Sequence, residues 1–448
     1  MYRKHAEAIQ DWIKKSNKAL LVTGARQIGK TWLVRDEIKK SKYTLFEINF
    51  IDQPDMVNYL NAQMSAEDFL IKLKMIMPET CIPGETIVFF DEIQKCPEIV
   101  TKIKFLVDEG SFKYVMSGSL LGVELKGIAS APVGYMTVLR MHPMDFEEFM
   151  IANNVSRMTL EMLKEKYETL QPVDDFIHEK LLHLFFIYLI VGGMPDAVNT
   201  YIKTKDIRQV DKVQKDIITL YKADFTQYEE ENKKLKLQSI YDIVPAELNK
   251  QNKKFVFTML DKELKFDRYE NSFLWLKDAG VVLPVYNTEA PLIPLLASKN
   301  SNVFRLFSSD IGLLTGAYPA ETKIELINRN GEVNNGAHFE NAVAQQLVAN
   351  GLEPYFCKKK ALGELDFIIE LGGKIVPIEV KSGKAYKAHK ALDNFMNTSD
   401  YHLEKAYVFS AGNVGQDNRV VYLPIYMSYL LKEKTMETMI VNIDMNGL

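Results

Sequence analysis

Leu20-Leu21-Val22-Thr23-Gly24-Ala25-Arg26-Gln27-Ile28-Gly29-Lys30-Thr31 is an apolar run that enters one glycine, reaches a second after four residues, and closes on Lys-Thr. Every fixed position of the G-x-x-x-x-G-K-[ST] phosphate-binding pattern is filled. Such a loop must fold back so that successive backbone N–H groups point at phosphate oxygens, and glycine supplies both the dihedrals and the close approach. The reading assigns ATP contacts to Gly24, Ala25, Arg26, Gln27, Ile28, Gly29, Lys30, Thr31 and Trp32. Lys30 would reach the β/γ-phosphates as a point charge, and the Thr31 hydroxyl would ligate Mg²⁺. A helix following at Trp32–Lys40 would turn its positive dipole end to the same anion. The plain alternative is a glycine-rich turn between a strand and a helix.

Outward from the loop, residues 1–150 alternate short apolar strands with amphipathic helices, which predicts an α/β domain with a parallel sheet. The strand candidates are Leu20–Thr23, Tyr43–Asn49, Thr86–Phe90, Tyr114–Ser117 and Thr137–Arg140, with helices near 31–40, 65–76 and 98–109. Ile87-Val88-Phe89-Phe90 is apolar throughout, as a strand covered on both faces should be, and it ends in Asp91-Glu92. An acid at that strand end suits the Mg²⁺ shell, and the next acid suits a base that polarises the attacking water. Asp91 is therefore the metal-side candidate and Glu92 the catalytic base; a strand ending in surface acids is the alternative. Ser117, at the end of the fourth strand, could orient that water or touch the γ-phosphate, or simply cap a turn. Arg140 is no clearer than a structural ion-pair residue.

Four segments occur together in order: Gly24-Ala25-Arg26-Gln27-Ile28-Gly29-Lys30-Thr31, Phe89-Phe90-Asp91-Glu92-Ile93-Gln94, Ser117-Gly118-Ser119-Leu120-Leu121-Gly122, and Arg140-Met141-His142-Pro143-Met144-Asp145-Phe146-Glu147-Glu148-Phe149. They resemble a widespread prokaryotic family of AAA-type P-loop ATPases with a C-terminal domain of unknown function. Gly192-Gly193-Met194-Pro195, Trp275-Leu276-Lys277-Asp278-Ala279-Gly280 and His338-Phe339-Glu340-Asn341 extend the resemblance over nearly the whole chain. The resemblance implies ATP hydrolysis. Members of that family often carry Arg where this chain has Tyr135, so an intersubunit arginine finger has no assigned residue.

The remainder divides by pattern. Residues 151–225 read as a helical lid or connector, with Glu161–Leu170, Phe176–Ile190 and Ile207–Asp224 as helices; Gly192-Gly193 before Pro195 is a firm stop. The charge run Glu229-Glu230-Glu231-Asn232-Lys233-Lys234 marks a boundary. Residues 226–296 then show helices followed by the strand Gly280–Tyr286, a winged-helix order. Its third helix, Tyr269–Ala279, offers Trp275 and Leu276 and little basic charge, so protein contact or packing competes with DNA reading.

Residues 297–448 hold a second constellation. A helix at Ala337–Ala349 carries Glu340, a strand carries Asp366, Gly372-Gly373 makes a hairpin, and the return strand carries Glu379 and Lys381. This arrangement looks like the PD-(D/E)xK nuclease fold, a restriction-endonuclease-like α/β domain. The period of two puts Glu379 and Lys381 on one strand face. Glu340, Asp366 and Glu379 are the candidate ligands for Mg²⁺ or Mn²⁺, and Lys381 would position the attacking water. From Glu353 to Lys390 there are eight Lys against five Asp and Glu, a local excess of three that could track the phosphates of DNA, or less readily RNA. An edge hairpin with solvated charges, or the same fold standing catalytically idle, fits the same residues.

Composition sets outer bounds. A net charge of −4 over 448 residues does not mark the whole chain as a nucleic-acid binder. Cys81, Cys96 and Cys357 are odd in number and lack C-x-x-C spacing, which points to reduced thiols and a cytoplasmic setting. The N-terminus has no apolar signal core, and Leu181–Val191 is about half the ~20 residues that span a bilayer. Oligomeric state is not legible.

Overall fold

The computed structural model describes residues 1–60, 65–119, 134–225, 231–250, 255, 270–328 and 335–433. Side chains of 231–236, 270, 271 and 320 lie outside the description, as do the charge run at 229–234 and residues 120–122 of the third resembling segment.

The first sheet contains β1 (Ala19–Thr23), β2 (Thr44–Asn49), β3 (Thr86–Asp91), β4 (Lys113–Gly118) and β5 (Met136–Arg140), all parallel, in the order β2-β3-β4-β1-β5. Helices Lys30–Lys39, Ala66–Ile76 and Glu98–Glu109 connect them, close to the expected spans. Alternation along the strands decides the two faces. Leu20, Val22, Phe89 and Val115 enter one apolar cluster, while Leu21, Phe90, Tyr114 and Met116 enter the other. Because β4 separates β1 from β3, the phosphate loop and the Asp91 strand end flank the end of β4.

Residues 146–225 are helical: Phe146–Ala152, Arg157–Thr169, Asp175–Val191, Pro195–Thr204 and Ile207–Phe225. Asp175–Val191 is the central one, its Phe185 and Phe186 packing on Phe339. None of the described helices is long and apolar enough to cross a membrane.

The second sheet runs across the expected boundary at 296. The strand at 280–286 is not an isolated wing. As β6 (Val282–Thr288) it pairs antiparallel with β7 (Lys299–Ser308) and parallel with β8 (Tyr355–Lys359), at Tyr286↔Tyr355. An eight-stranded mixed sheet results, in the order β12-β13-β11-β10-β9-β8-β6-β7. Its other strands are β9 (Gly363–Leu371), β10 (Lys374–Lys381), β11 (Ala406–Ser410), β12 (Gly415–Asp417) and β13 (Val420–Pro424). The nearby helix Glu270–Asp278 buries Trp275 and Leu276, so these side chains serve packing.

Candidate nucleotide site and C-terminal charge cluster

The phosphate loop joins β1 to the helix Lys30–Lys39 through three left-handed or unusual positions: Gly24 at φ 138°, Gln27 at φ 62° and Gly29 at φ 87°. A Cβ on Gly24 would lie 2.3 Å from the Met141 carbonyl oxygen, so side chain and backbone alike demand glycine there. Lys30 Nζ folds into the loop and donates to the carbonyls of Gly24 at 3.0 Å and Ala25 at 2.7 Å. Burial pushes its ammonium down to about 8, with Arg26 lowering it further and Glu92 and Asp91 opposing.

Asp91 is buried at the end of β3 and gathers donors from neighbouring strands and the helix that follows the loop. Thr31 Oγ1 donates to its Oδ2 at 2.9 Å, Asn49 Nδ2 donates to the same oxygen at 3.0 Å, and Ser117 Oγ donates to Oδ1. Ser117 thus orients the carboxylate. Asn49 is an addition to the expected set: it stands beside Asp91 in the β2–β3 register. Glu92 follows at φ 56°, and Gln94 Nε2 donates to its Oε2. A buried carboxylate with a hydroxyl beside it is a suitable donor set for Mg²⁺, so Thr31 and Asp91 fit the ion expected there.

Other elements close over the loop. Arg26 Nη1 pairs with Asp224 Oδ1 of the helix Ile207–Phe225, and Tyr221 Oη donates to the Arg26 carbonyl at 2.8 Å. A Cβ on Gly280 would be 3.2 Å from Ala25 N, and one on Gly29 would be 3.7 Å from Pro195. A cavity of about 450 Å³ opens beside the loop, lined by Gln27, Asp196, Asn199, Lys203, Asp216 and Ile217 among others. On the far side, Arg3 is buried and donates to Ile28 O at 2.6 Å, His142 O at 2.6 Å and Glu148 Oε1 at 3.0 Å. The helix that begins at Phe146 then donates Phe146 N to Gln346 Oε1 at 3.0 Å, on the same helix, Gly336–Ala349, that carries Glu340. Trp32 is half exposed on its helix, Arg140 is exposed at the end of β5, and the Tyr135 ring lies under Lys104 Nζ at 5.4 Å.

The C-terminal candidates do converge, around a residue that sequence reasoning misses. Lys381 Nζ donates to Glu379 Oε1 at 2.7 Å, and Val380 N donates to Asp366 Oδ2 at 2.9 Å. Between the acids lies Arg305 of β7, fully buried. Its Nη1 is 3.7 Å from Glu340 Oε2 and 3.8 Å from Asp366 Oδ1, its Nη2 pairs with Glu364 Oε1, and its face lies 4.7 Å from the Phe356 ring centroid. Lys358, expected to face phosphate, pairs with Glu364 at 2.6 Å. Burial, reinforced by Asp366, pushes the Glu379 carboxyl up to about 8, against the pull of Lys381. Among the described residues no group of three or more His, Cys, Asp or Glu is placed to share one ion. Glu340 and Asp366 lie against the Arg305 guanidinium, a positive charge at the place where the expected Mg²⁺ or Mn²⁺ would be held.

Residues 16–150 match the model of a family described as AAA domain (AAA_14). Residues 182–323 and 335–427 match two families described as domains of unknown function, DUF8612 and DUF4143. An uncharacterized protein of Methanocaldococcus jannaschii is 26% identical over 194 residues, which is 43% of this chain and 38% of that one. This chain thus spans well under half the length of that relative. Two solved structures are also similar: a Walker-type ATPase of Pyrococcus abyssi (14% identity, TM-score 0.42, 70% of this chain, 95% of that one), and AMPPCP-bound DnaA from Aquifex aeolicus (10%, 0.31, 61% and 84%). The domain match and the motif geometry agree: residues 16–150 are similar to an AAA domain and carry a phosphate-binding loop beside a buried strand-end acid.

Proposed function

We propose that the protein is a Mg²⁺-dependent ATP-hydrolysing switch, in which the helical region and C-terminal domain respond to nucleotide state. The observation that carries this reading is the Thr31–Asp91 hydrogen bond beside Lys30, which puts the loop hydroxyl and the strand-end acid at one point. Lys30 and the loop amides bind the phosphates, and Glu92 takes the proton of the attacking water, with Gln94 orienting its carboxylate. Mg²⁺ held by Thr31 and Asp91 would neutralise charge on the β- and γ-phosphates.

A response beyond the first domain is supported by what grips the loop: Asp224 and Tyr221 from one helix, and Arg3 from the other side. The helix Gly336–Ala349 extends the second connection to Glu340. The C-terminal domain then acts as a platform for partners, with protein contact the primary form. Steady-state hydrolysis by wild type, Lys30→Ala and Glu92→Gln tests the reading; turnover indifferent to both substitutions would overturn it.

A second reading keeps one specific support. Asp366, Glu379 and Lys381 converge on adjacent strands, as a phosphodiesterase acting on DNA, or second on RNA, requires. It needs Arg305 to leave the cluster. Cleavage of plasmid or single-stranded DNA that disappears in Glu379→Ala would establish it.

A further inference from the structure

We propose that Arg26 is the guanidinium that stabilises the γ-phosphoryl group during hydrolysis, and that Asp224 holds it in reserve. The inference rests on the ATP-hydrolase reading and supplies the arginine that neither Tyr135 nor Arg140 provides.

Two observations set the Arg26 side chain beside the strand end that meets the metal-side acid. Its Nε donates to Ser119 Oγ at 3.3 Å, and Ser119 lies two residues beyond Ser117, which donates to Asp91. The end of β4 therefore meets the metal-side acid through Ser117, and the chain just after it meets this guanidinium through Ser119. The backbone of residue 26 is fixed independently, because Tyr221 Oη donates to its carbonyl at 2.8 Å. The side chain can exchange partners without moving the loop.

Its present partner is a carboxylate held at a cost in burial. Asp224 is only 13% exposed, and burial pushes its carboxyl up while Arg26 pulls it down. The transferring phosphoryl group gathers more negative charge than one carboxylate carries, so the transition state rather than bound ATP draws the guanidinium from Asp224. In the step itself the water oxygen bonds to the γ-phosphorus and the bond to the β–γ bridging oxygen breaks. The electron pair leaves on ADP, and the water proton passes to Glu92. Arg26 stabilises the charge gathering on the transferring oxygens, as an arginine supplied in cis does. Because Asp224 belongs to the helix Ile207–Phe225, movement of that helix sets how freely Arg26 is handed over.

The two partners of a purely structural pair should behave alike when removed; here they should behave oppositely. Single-turnover hydrolysis of γ-labelled ATP and affinity for a non-hydrolysable ATP analogue would be measured on the full chain. The variants are Arg26→Ala, Arg26→Gln, Asp224→Asn and Lys30→Ala, with wild type. Arg26→Ala and Arg26→Gln should slow hydrolysis about 100-fold or more while analogue affinity stays within a few-fold. Asp224→Asn should speed it several-fold at unchanged affinity. Rates that move together in the Arg26 and Asp224 variants, or that do not move, would overturn the role of Arg26 and leave the hydrolase reading standing. Wild-type hydrolysis that persists in Lys30→Ala would defeat the hydrolase reading and this role with it.

Discussion

Thr31 Oγ1 donates to Asp91 Oδ2 at 2.9 Å, joining a helix's first turn to the end of a buried strand 60 positions away. The acid also accepts from Asn49 and Ser117, so the carboxylate cannot rotate freely. Asp91→Asn should abolish Mg²⁺-dependent hydrolysis, with a fall of about 10²–10³-fold as for other lost electrostatic elements. Thr31→Ala should follow in the same direction. Nucleotide affinity without Mg²⁺ should change little in either. A metal-free affinity that collapses in Asp91→Asn would mean that the acid shapes the loop itself.

Lys30 predicts a proton linkage. In the free protein burial brings its ammonium down to about 8, and a polyphosphate beside it must raise that value. Binding therefore takes up a proton when the pH exceeds 8, and affinity falls as pH rises further, by up to tenfold per unit. Calorimetric titration of an ATP analogue in buffers of differing ionisation enthalpy should report uptake near zero at pH 7 and approaching about one proton at pH 9. Lys30→Ala should lose the linkage. Equal uptake at both pH values in wild type would contradict the account.

Much of this site is legible in the residues alone. The loop, Asp91 and Glu92 are fixed by local pattern, because a strand-turn-helix and a buried strand end are short-range objects. Asn49 carries no such signal, since its role comes from lying next to Asp91 in a parallel pair. Arg305 does leave one: a lone charge inside Val303-Phe304-Arg305-Leu306-Phe307, a strand otherwise apolar, implies a buried ionic partner. The strand at 280–286 reads as a wing because a hairpin is a local pattern, whereas its parallel partner, β8, lies some seventy residues onward.

Arg305 holds together acids that would otherwise repel. Arg305→Met leaves Glu340, Glu364 and Asp366 without their guanidinium and should cost about 3–5 kcal/mol in urea unfolding near neutral pH. Arg305 also helps to hold the Glu364 carboxyl below its ordinary value. A depressed acid contributes stability above its unfolded pKa and loses it as pH falls through the folded value, so the deficit should shrink below about pH 4.5. A pH-independent deficit would assign the loss to packing against Phe356 instead.

Gly193 stands where the first domain meets the rest of the chain. Its carbonyl accepts from Met144 N at 2.7 Å, and its N–H donates to Asp310 Oδ2 at 2.6 Å. A Cβ there would lie 2.0 Å from Met144 O and 2.6 Å from Met144 N, both backbone atoms that cannot turn aside. Asp310 is equally constrained: it is fully buried, its carboxyl is pushed up to about 6 by that burial, and Leu313 N donates to its second oxygen at 3.0 Å. Gly193→Ala must therefore separate the two segments, at about 3 kcal/mol or more. Because Pro195 follows two residues later and packs at Gly29, the same displacement should weaken nucleotide binding. Gly372→Ala is the matched control, since a Cβ there meets nothing within 4 Å and only its φ of 58° is strained, costing about 1 kcal/mol. Thermal melts with and without an ATP analogue should rank Gly193→Ala far below Gly372→Ala, with less stabilisation by the analogue. Equal melts for the two variants would show that the contact between Met144 and Gly193 yields without cost, and that the helical region can part from the phosphate loop freely.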